Sequence, residues 1–260
     1  MNFSASRDYN GDGRVAQHLA VMAAIDKITF RSDDVVLDVG CGTGDETIAI
    51  AAKVKRITGV DLSVEMIAEA RAKSSPSNVS FCVGDALTVG DNPKWRETFD
   101  KVVSFLVLHW IQDKRTALTS ILACLKPQGE ALLIVDKDTP IFFNASRFLQ
   151  SHDKWGKYVK DFMVPMYQLK QSVAETQEMM TSLGWANCKC EIVTHEFCMN
   201  EVQAKLFFKT LLQQTKMIPE DDTDEYLTDL WNFASSRVEN KDQDCFFKFT
   251  SQLSIIHAFK

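Results

Sequence analysis

Three glycines at alternate positions, Gly40, Gly42 and Gly44, stand in the run Val36-Leu37-Asp38-Val39-Gly40-Cys41-Gly42-Thr43-Gly44-Asp45. A short apolar stretch leads into them and a helix-like pattern leaves them. Without side chains, such a turn lets the backbone pass very close to a bound nucleoside. The spacing is not that of a dinucleotide site, which places a further glycine where Asp45 stands. A carboxylate at that point repels a pyrophosphate and suits a ligand whose nearby groups are cationic.

Further along, carboxylates recur at the ends of apolar runs. Ile57-Thr58-Gly59-Val60-Asp61 reads as a second strand closed by an acid, about 20 residues beyond Asp38, where a βαβ unit returns to the sheet. An acid there can accept hydrogen bonds from both hydroxyls of a ribose. Val79–Val83 leads into Gly84-Asp85-Ala86, whose acid can take the exocyclic amine of adenine. A fourth run, Phe99 to Phe105, adds an aromatic side chain. S-Adenosylmethionine, with its sulfonium and ammonium, satisfies this order of glycines, acid, acid and aromatic. Residues 30 to 140 thereby resemble the class I S-adenosylmethionine-dependent methyltransferases.

Those strand ends need a scaffold. The expected strands are Val35 to Val39, a run ending at Asp61, 79–83, 100–106 and Glu130 to Val135. Helices are expected over residues 14–28, Asp45 to Lys53, Glu65 to Lys73 after a Ser63 N-cap, and Lys114 to Cys124, the last stopping at Lys126-Pro127-Gln128-Gly129. This alternation predicts an α/β fold: a Rossmann-like, seven-stranded, mostly parallel sheet with helices on both faces. Residues 172–183 read as a helix ended by Gly184. Cys188 to Phe197 and Phe246 to Phe259 read as the last two strands, with amphipathic helices at 200–216 and 222–238 between them. One domain over 1–260 is expected, with a cofactor-binding core at 1–138. Residues 139–171 and 199–245 form an inserted helical cap over the ligand crevice. Their aromatic and methionine residues fit two roles at once, core packing for the added helices and a pocket for a long apolar acceptor.

Composition narrows the classes. The 260 residues carry a formal net charge of −6, which argues against a nucleic-acid partner. The apolar runs are too short to span a bilayer, and Met1-Asn2-Phe3-Ser4 lacks the layout of a signal peptide. Seven unpatterned cysteines suggest free thiols in a reducing compartment, hence a cytoplasmic chain. Cys188, Cys190, His195 and Cys198 fit zinc spacing poorly and read as strand packing. The stretch Asp8 to Gly13 copies half a calcium loop but meets Leu19 where a Glu is needed. No metal is expected, and oligomeric state is not specified.

A narrower resemblance lies in Ser104-Phe105-Leu106-Val107-Leu108-His109-Trp110-Ile111-Gln112-Asp113, with Leu125-Lys126-Pro127-Gln128-Gly129, Trp155-x-x-Tyr158 and Phe162-x-x-Pro165. These segments are similar to the juvenile hormone acid O-methyltransferases of arthropods, as are Tyr9 and Gln17 to that group's cofactor-capping segment. The resemblance implies methyl transfer from S-adenosyl-L-methionine to the carboxylate of a farnesoic or juvenile hormone acid. It also implies cofactor contacts at Tyr9, Asp38, Gly40, Cys41, Gly42, Asp61, Leu62, Met66, Gly84, Asp85, Ala86 and Phe105, and a reacting centre at Gln17, His109 and Trp110. The chain departs from the pattern at Gln128, where the family has glycine, and at the charged Asp136-Lys137-Asp138. Both departures bear on the acceptor rather than the cofactor.

Three roles are open to His109: base toward a hydroxyl, donor that orients a carboxylate, or structural residue at a strand end. The donor role is the expectation, motivated by the family-like His109-Trp110 pair; a carboxylic acid with a pKa of roughly 4 to 5 needs no base at neutral pH. Trp110 either walls the pocket or packs in the core. An alcohol, phenol or amine acceptor, and a cofactor-binding scaffold without catalysis, are the alternatives to an apolar acid.

Overall fold

The computed structural model describes residues 15–236 and 247–260. The first strand, Val35–Val39 (β1), lies inside the sheet and is buried along its whole length, as a parallel strand covered on both faces must be. Arg56–Asp61 (β2) and Val79–Val83 (β3) lie beyond it on one side. Phe99–Phe105 (β4) and Leu125–Asp138 (β5) lie on the other. Ala186–Met199 (β6) and Phe247–Phe259 (β7) complete a sheet in the order β3-β2-β1-β4-β5-β7-β6. Among the described strands only β7 runs against the rest. The chain winds outward from β1 in one direction and then from β4 in the other. A crevice opens at such a reversal, outside the carboxyl ends of the strands.

Strand alternation sends neighbouring side chains to opposite faces. Val36, Val103, Leu132 and Ile134 pack with Ala20 and Val21 of Val15–Met22 (α1) and with Ile50 and Ala51 of Asp45–Ala51 (α2). Leu37, Val102, Leu133 and Val135 pack on the other face with Leu118 and Ile121 of Lys114–Cys124 (α4) and Met180 of Val173–Ser182 (α7). Val64–Ala72 (α3) packs against Cys41 and Phe81. Ser63 caps α3 by accepting from Met66 N at 3.2 Å, and Ser172 with Glu175 forms a reciprocal capping box on α7.

The added helices have an apolar cluster of their own. Pro140–Gln150 (α5), Gly156–Val159 (α6), Glu201–Leu211 (α8) and Thr223–Ser235 (α9) bury Phe142, Trp155, Phe207, Phe208 and Tyr226 together with Phe197, Phe247 and Phe249 from the strand ends.

Some boundaries differ from the sequence expectation. The first helix stops at Met22 and tightens into a 3₁₀ turn at Ile25–Lys27, which carries both Ala24 and Ile28 into the core. The fifth strand begins at Leu125 and runs on to Asp138 instead of spanning 130–135. Gln128 adopts a left-handed φ of 67° and donates to Lys260 O, while Lys260 N donates to Gly129 O, so the expected turn is drawn into pairing with the chain's last residue. The expectation of free thiols throughout fails at Cys198, which is disulfide-bonded; Cys41, Cys82, Cys124, Cys188 and Cys190 are free. Cysteine spacing alone does not reveal which thiols pair. No described helix is long and apolar enough to cross a membrane. The described residues hold no group of three or more side chains able to bind a metal.

Candidate functional site

The glycine turn is tied to the strand beside it. Gly40 N and Cys41 N both donate to Val60 O, at 2.7 and 3.0 Å, and Gly42 N donates to Asp61 Oδ2 at 2.9 Å. The other Asp61 oxygen accepts from Ser63 N at 2.9 Å. One carboxylate thus clamps the turn to the start of α3 and keeps lone pairs for a ligand, since it can accept about four hydrogen bonds. Burial raises its pKa, and the backbone donors oppose that rise. Gly40 has φ +82°, and a Cβ there would fall 2.1 Å from Val107 Cγ2. Only glycine fits the place where the turn passes over the loop after β4.

Above this turn lies a cleft of about 910 Å³. Gly40, Gly42, Asp61, Leu62, Met66, Gly84, Asp85, Ala86, Phe105 and Trp110, all named from the sequence, line it together. Asp85 Oδ1 accepts from Leu87 N at 2.9 Å, which fixes the carboxylate at the cleft wall. A smaller space of about 400 Å³ adjoins it, lined by Asp38, Cys41, Gln17 and Glu46. Asp38 is buried and accepts from Thr47 Oγ1 at 2.6 Å, so it also anchors α2 beneath the turn. Polar carboxylates at strand tips, an apolar wall from Met66, Ala86 and Ile111, and a turn closed to any side chain could hold an adenosyl ligand with a cationic tail. Tyr9 lies outside the described residues.

A second cavity of about 540 Å³ begins where the cleft ends, and Leu106, Trp110 and Leu211 line both. Its walls are Phe142, Phe207 and Leu211 of the added helices, Met166, and Phe197, Phe249 and Leu253 of the outer strands. Gln17 and His109 line it as well, so the three residues expected at a reacting centre, Gln17, His109 and Trp110, meet here. Gln17 Oε1 is buried without a hydrogen-bond partner among the described residues.

His109 is buried on a 3₁₀ turn, Leu108–Trp110. Its Nδ1 accepts from Asp136 N at 3.1 Å, and its carbonyl takes Tyr167 N at 2.6 Å. A ring that accepts at Nδ1 carries its proton on Nε2. Burial first, then the nearby charge of Lys114, pushes the imidazole pKa from 6.5 down to about 3. His109 is therefore a neutral N–H donor at physiological pH.

Leu106, Asp136, Thr139 and Ser251 also belong to the site and were not among the residues named for it. Leu106 holds a left-handed φ of 59° at the end of β4, between the two cavities. A leucine gives no hint of that conformation. Asp136 carried a signal, its charge next to an apolar run, but its placement depended on a strand three residues longer than expected.

Residues 36–129 match the family model described as a methyltransferase domain. The chain is 31% identical to the juvenile hormone acid O-methyltransferase of Bombyx mori over 62% of this chain and 60% of that protein. It is 26% identical to the corresponding Drosophila melanogaster protein over 88% of this chain and 82% of that one. The fold resembles the YcgJ protein of Bacillus subtilis, with a TM-score of 0.63 at 21% identity over 94% of this chain and 98% of that one. It also resembles Haemonchus contortus phosphoethanolamine N-methyltransferase 2 in complex with phosphomonomethylethanolamine and S-adenosylhomocysteine, with a TM-score of 0.57 at 18% identity over 99% of this chain and 57% of that one.

Proposed function

We propose that this chain, a class I S-adenosylmethionine-dependent methyltransferase, methylates the carboxylate of an apolar isoprenoid or fatty-acid-like acid. One observation carries the choice of acceptor: His109, in the wall of the second cavity, accepts at Nδ1 and so donates at Nε2, and burial holds its pKa down at about 3. A carboxylate, ionised at that pH, needs a donor and no base. An alcohol needs the reverse. The likeness to two juvenile hormone acid O-methyltransferases supports an acid acceptor.

Bound S-adenosylmethionine supplies a methyl group already activated on a sulfonium. In this reading Asp61 and Asp85 hold the ribose and adenine, and Asp38 and Glu46 face the ammonium. Leu106 and Trp110 separate the cofactor from the acceptor chain except at the reacting atoms. His109 Nε2–H and the Gln17 amide hold the acceptor carboxylate in line, while Phe142, Phe207 and Phe249 exclude water from it. The rate advantage then comes from alignment and desolvation. A cytoplasmic site of action belongs to the same proposal; the five free thiols among the described residues support it and the disulfide-bonded Cys198 counts against it.

A second reading, an amine or alcohol acceptor, is favoured by the buried carboxylate of Asp136 in the same cavity. A panel of apolar acids, alcohols and amines incubated with methyl-labelled cofactor separates the two. Methyl esters from the acids support the proposal; label confined to ethers or methylamines defeats it.

A further inference from the structure

Apart from Gln17 and His109, the acceptor cavity has one further polar wall, where Asp136 of β5, Thr139 and Ser251 of β7 meet, all buried. Thr139 Oγ1 donates to Asp136 Oδ2 and lies 2.7 Å from Ser251 Oγ. Ser251 Oγ is 3.4 Å from the same carboxylate oxygen, and Gln168 Nε2 donates to Asp136 Oδ1 at 2.8 Å. The proton count decides what this group can offer. Each hydroxyl has one proton. Thr139 uses its own on Asp136, so the contact between Thr139 and Ser251 is made by the proton of Ser251. What remains for the cavity is lone pairs, on Ser251 Oγ and on the carboxylate.

A wall of acceptors has no use for a purely apolar chain. Burying a carboxylate there costs free energy that a leucine would not, and its partners serve only to lessen that cost. A bare acceptor carboxylate is repelled by it. A hydroxyl complements it. An ammonium would have to shed its water among Phe142, Phe207 and Phe249, against a charge already shared between two donors, Thr139 and Gln168, so a neutral donor is the better match.

We propose that the methyl acceptor is a hydroxylated apolar acid, and that Asp136 with Thr139 and Ser251 forms a polar pole that selects its hydroxyl; the carboxyl-methylation reading above is the basis for calling it an acid. The pole is specificity-determining, because it both attracts the hydroxyl and disfavours the unsubstituted chain.

Calorimetric binding of dodecanoic acid and its monohydroxylated positional isomers, with S-adenosylhomocysteine present, tests this. At least one isomer is expected to bind roughly tenfold more tightly than dodecanoic acid, about 1.4 kcal/mol. The preference should collapse to within about threefold in Ser251→Ala and in Asp136→Leu, while Asp136→Leu gains affinity for dodecanoic acid. Ser251→Ala carries the test alone if Asp136→Leu does not fold. No isomer preferred by the unaltered protein, or a preference that survives both substitutions, overturns the pole. Mass spectrometry of the same mixtures with S-adenosylmethionine reads the other premise separately: hydroxyl-selective binding without methyl ester keeps the pole and removes carboxyl methylation.

Discussion

The two cavities are built from different materials. The cleft over β1, β2, β3 and β4 is made largely of backbone and strand-tip acids: Gly40, Gly42, Asp61 and Asp85 are close in sequence to the strands that fix them. The neighbouring cavity is assembled from side chains that span Gln17 to Leu253, carried by helices and strands with separate apolar clusters. A site set by backbone geometry tolerates little substitution and holds one ligand class. A site set by packed side chains can change its ligand by exchanging one wall residue, as Asp136 illustrates.

That contrast can be broken by substitution. The largest effect is expected for Gly40→Ala, which strains a left-handed backbone by roughly 1–2 kcal/mol and drives a methyl into Val107 at a further cost of about 1–3 kcal/mol. Calorimetry should find cofactor binding reduced beyond measurement, and normal affinity would show that the turn yields more easily than its contacts imply. Asp61→Ala should weaken cofactor binding by about 1–3 kcal/mol, with acceptor affinity little altered in the same titrations; equal losses for both ligands would merge the two sites into one.

His109 sharpens the comparison through pH. Its folded pKa, about 3, lies below the ordinary value of 6.5, so the folded state binds fewer protons than the unfolded chain between those values. The stabilisation is complete above pH 6.5 and is lost as pH falls toward 3. The part lost between pH 6.5 and 5 should be on the order of 2 kcal/mol. Denaturation of His109→Gln should lack that slope, and parallel curves for both proteins would refute it. Product formation at saturating acid should show no rising limb near pH 6.5; a limb that disappears in His109→Gln would make the residue a base. The smallest effect is expected for Glu46→Gln, a partly exposed acid of the minor space, which should lower cofactor affinity by about 1 kcal/mol or less.

The same contrast explains what could be read without coordinates. Glycine spacing, Asp61 and Asp85 were legible because the conformations and charges they impose are local. Asp38 was legible as important but not as the partner of Thr47, since that bond joins a strand to the next helix. His109 was legible as a candidate, whereas its tautomer depends on the Asp136 amide, 27 residues further on. Ser251 and Phe249 gave no signal, because only the placing of β7 between β5 and β6, where they pair with His195 and Phe197, brings them to the wall. Leu106 was hidden in an ordinary apolar run.

The central claim is that two adjoining cavities divide cofactor from acceptor at Leu106, Trp110 and Leu211. A crystal structure with S-adenosylhomocysteine and an apolar carboxylic acid tests it most directly. The account expects the nucleoside against Asp61 and Asp85, and the acid chain among Phe142, Phe207 and Phe249 with its carboxylate at His109 Nε2. A carboxylate found at solvent, or a nucleoside seated away from the glycine turn, would contradict it.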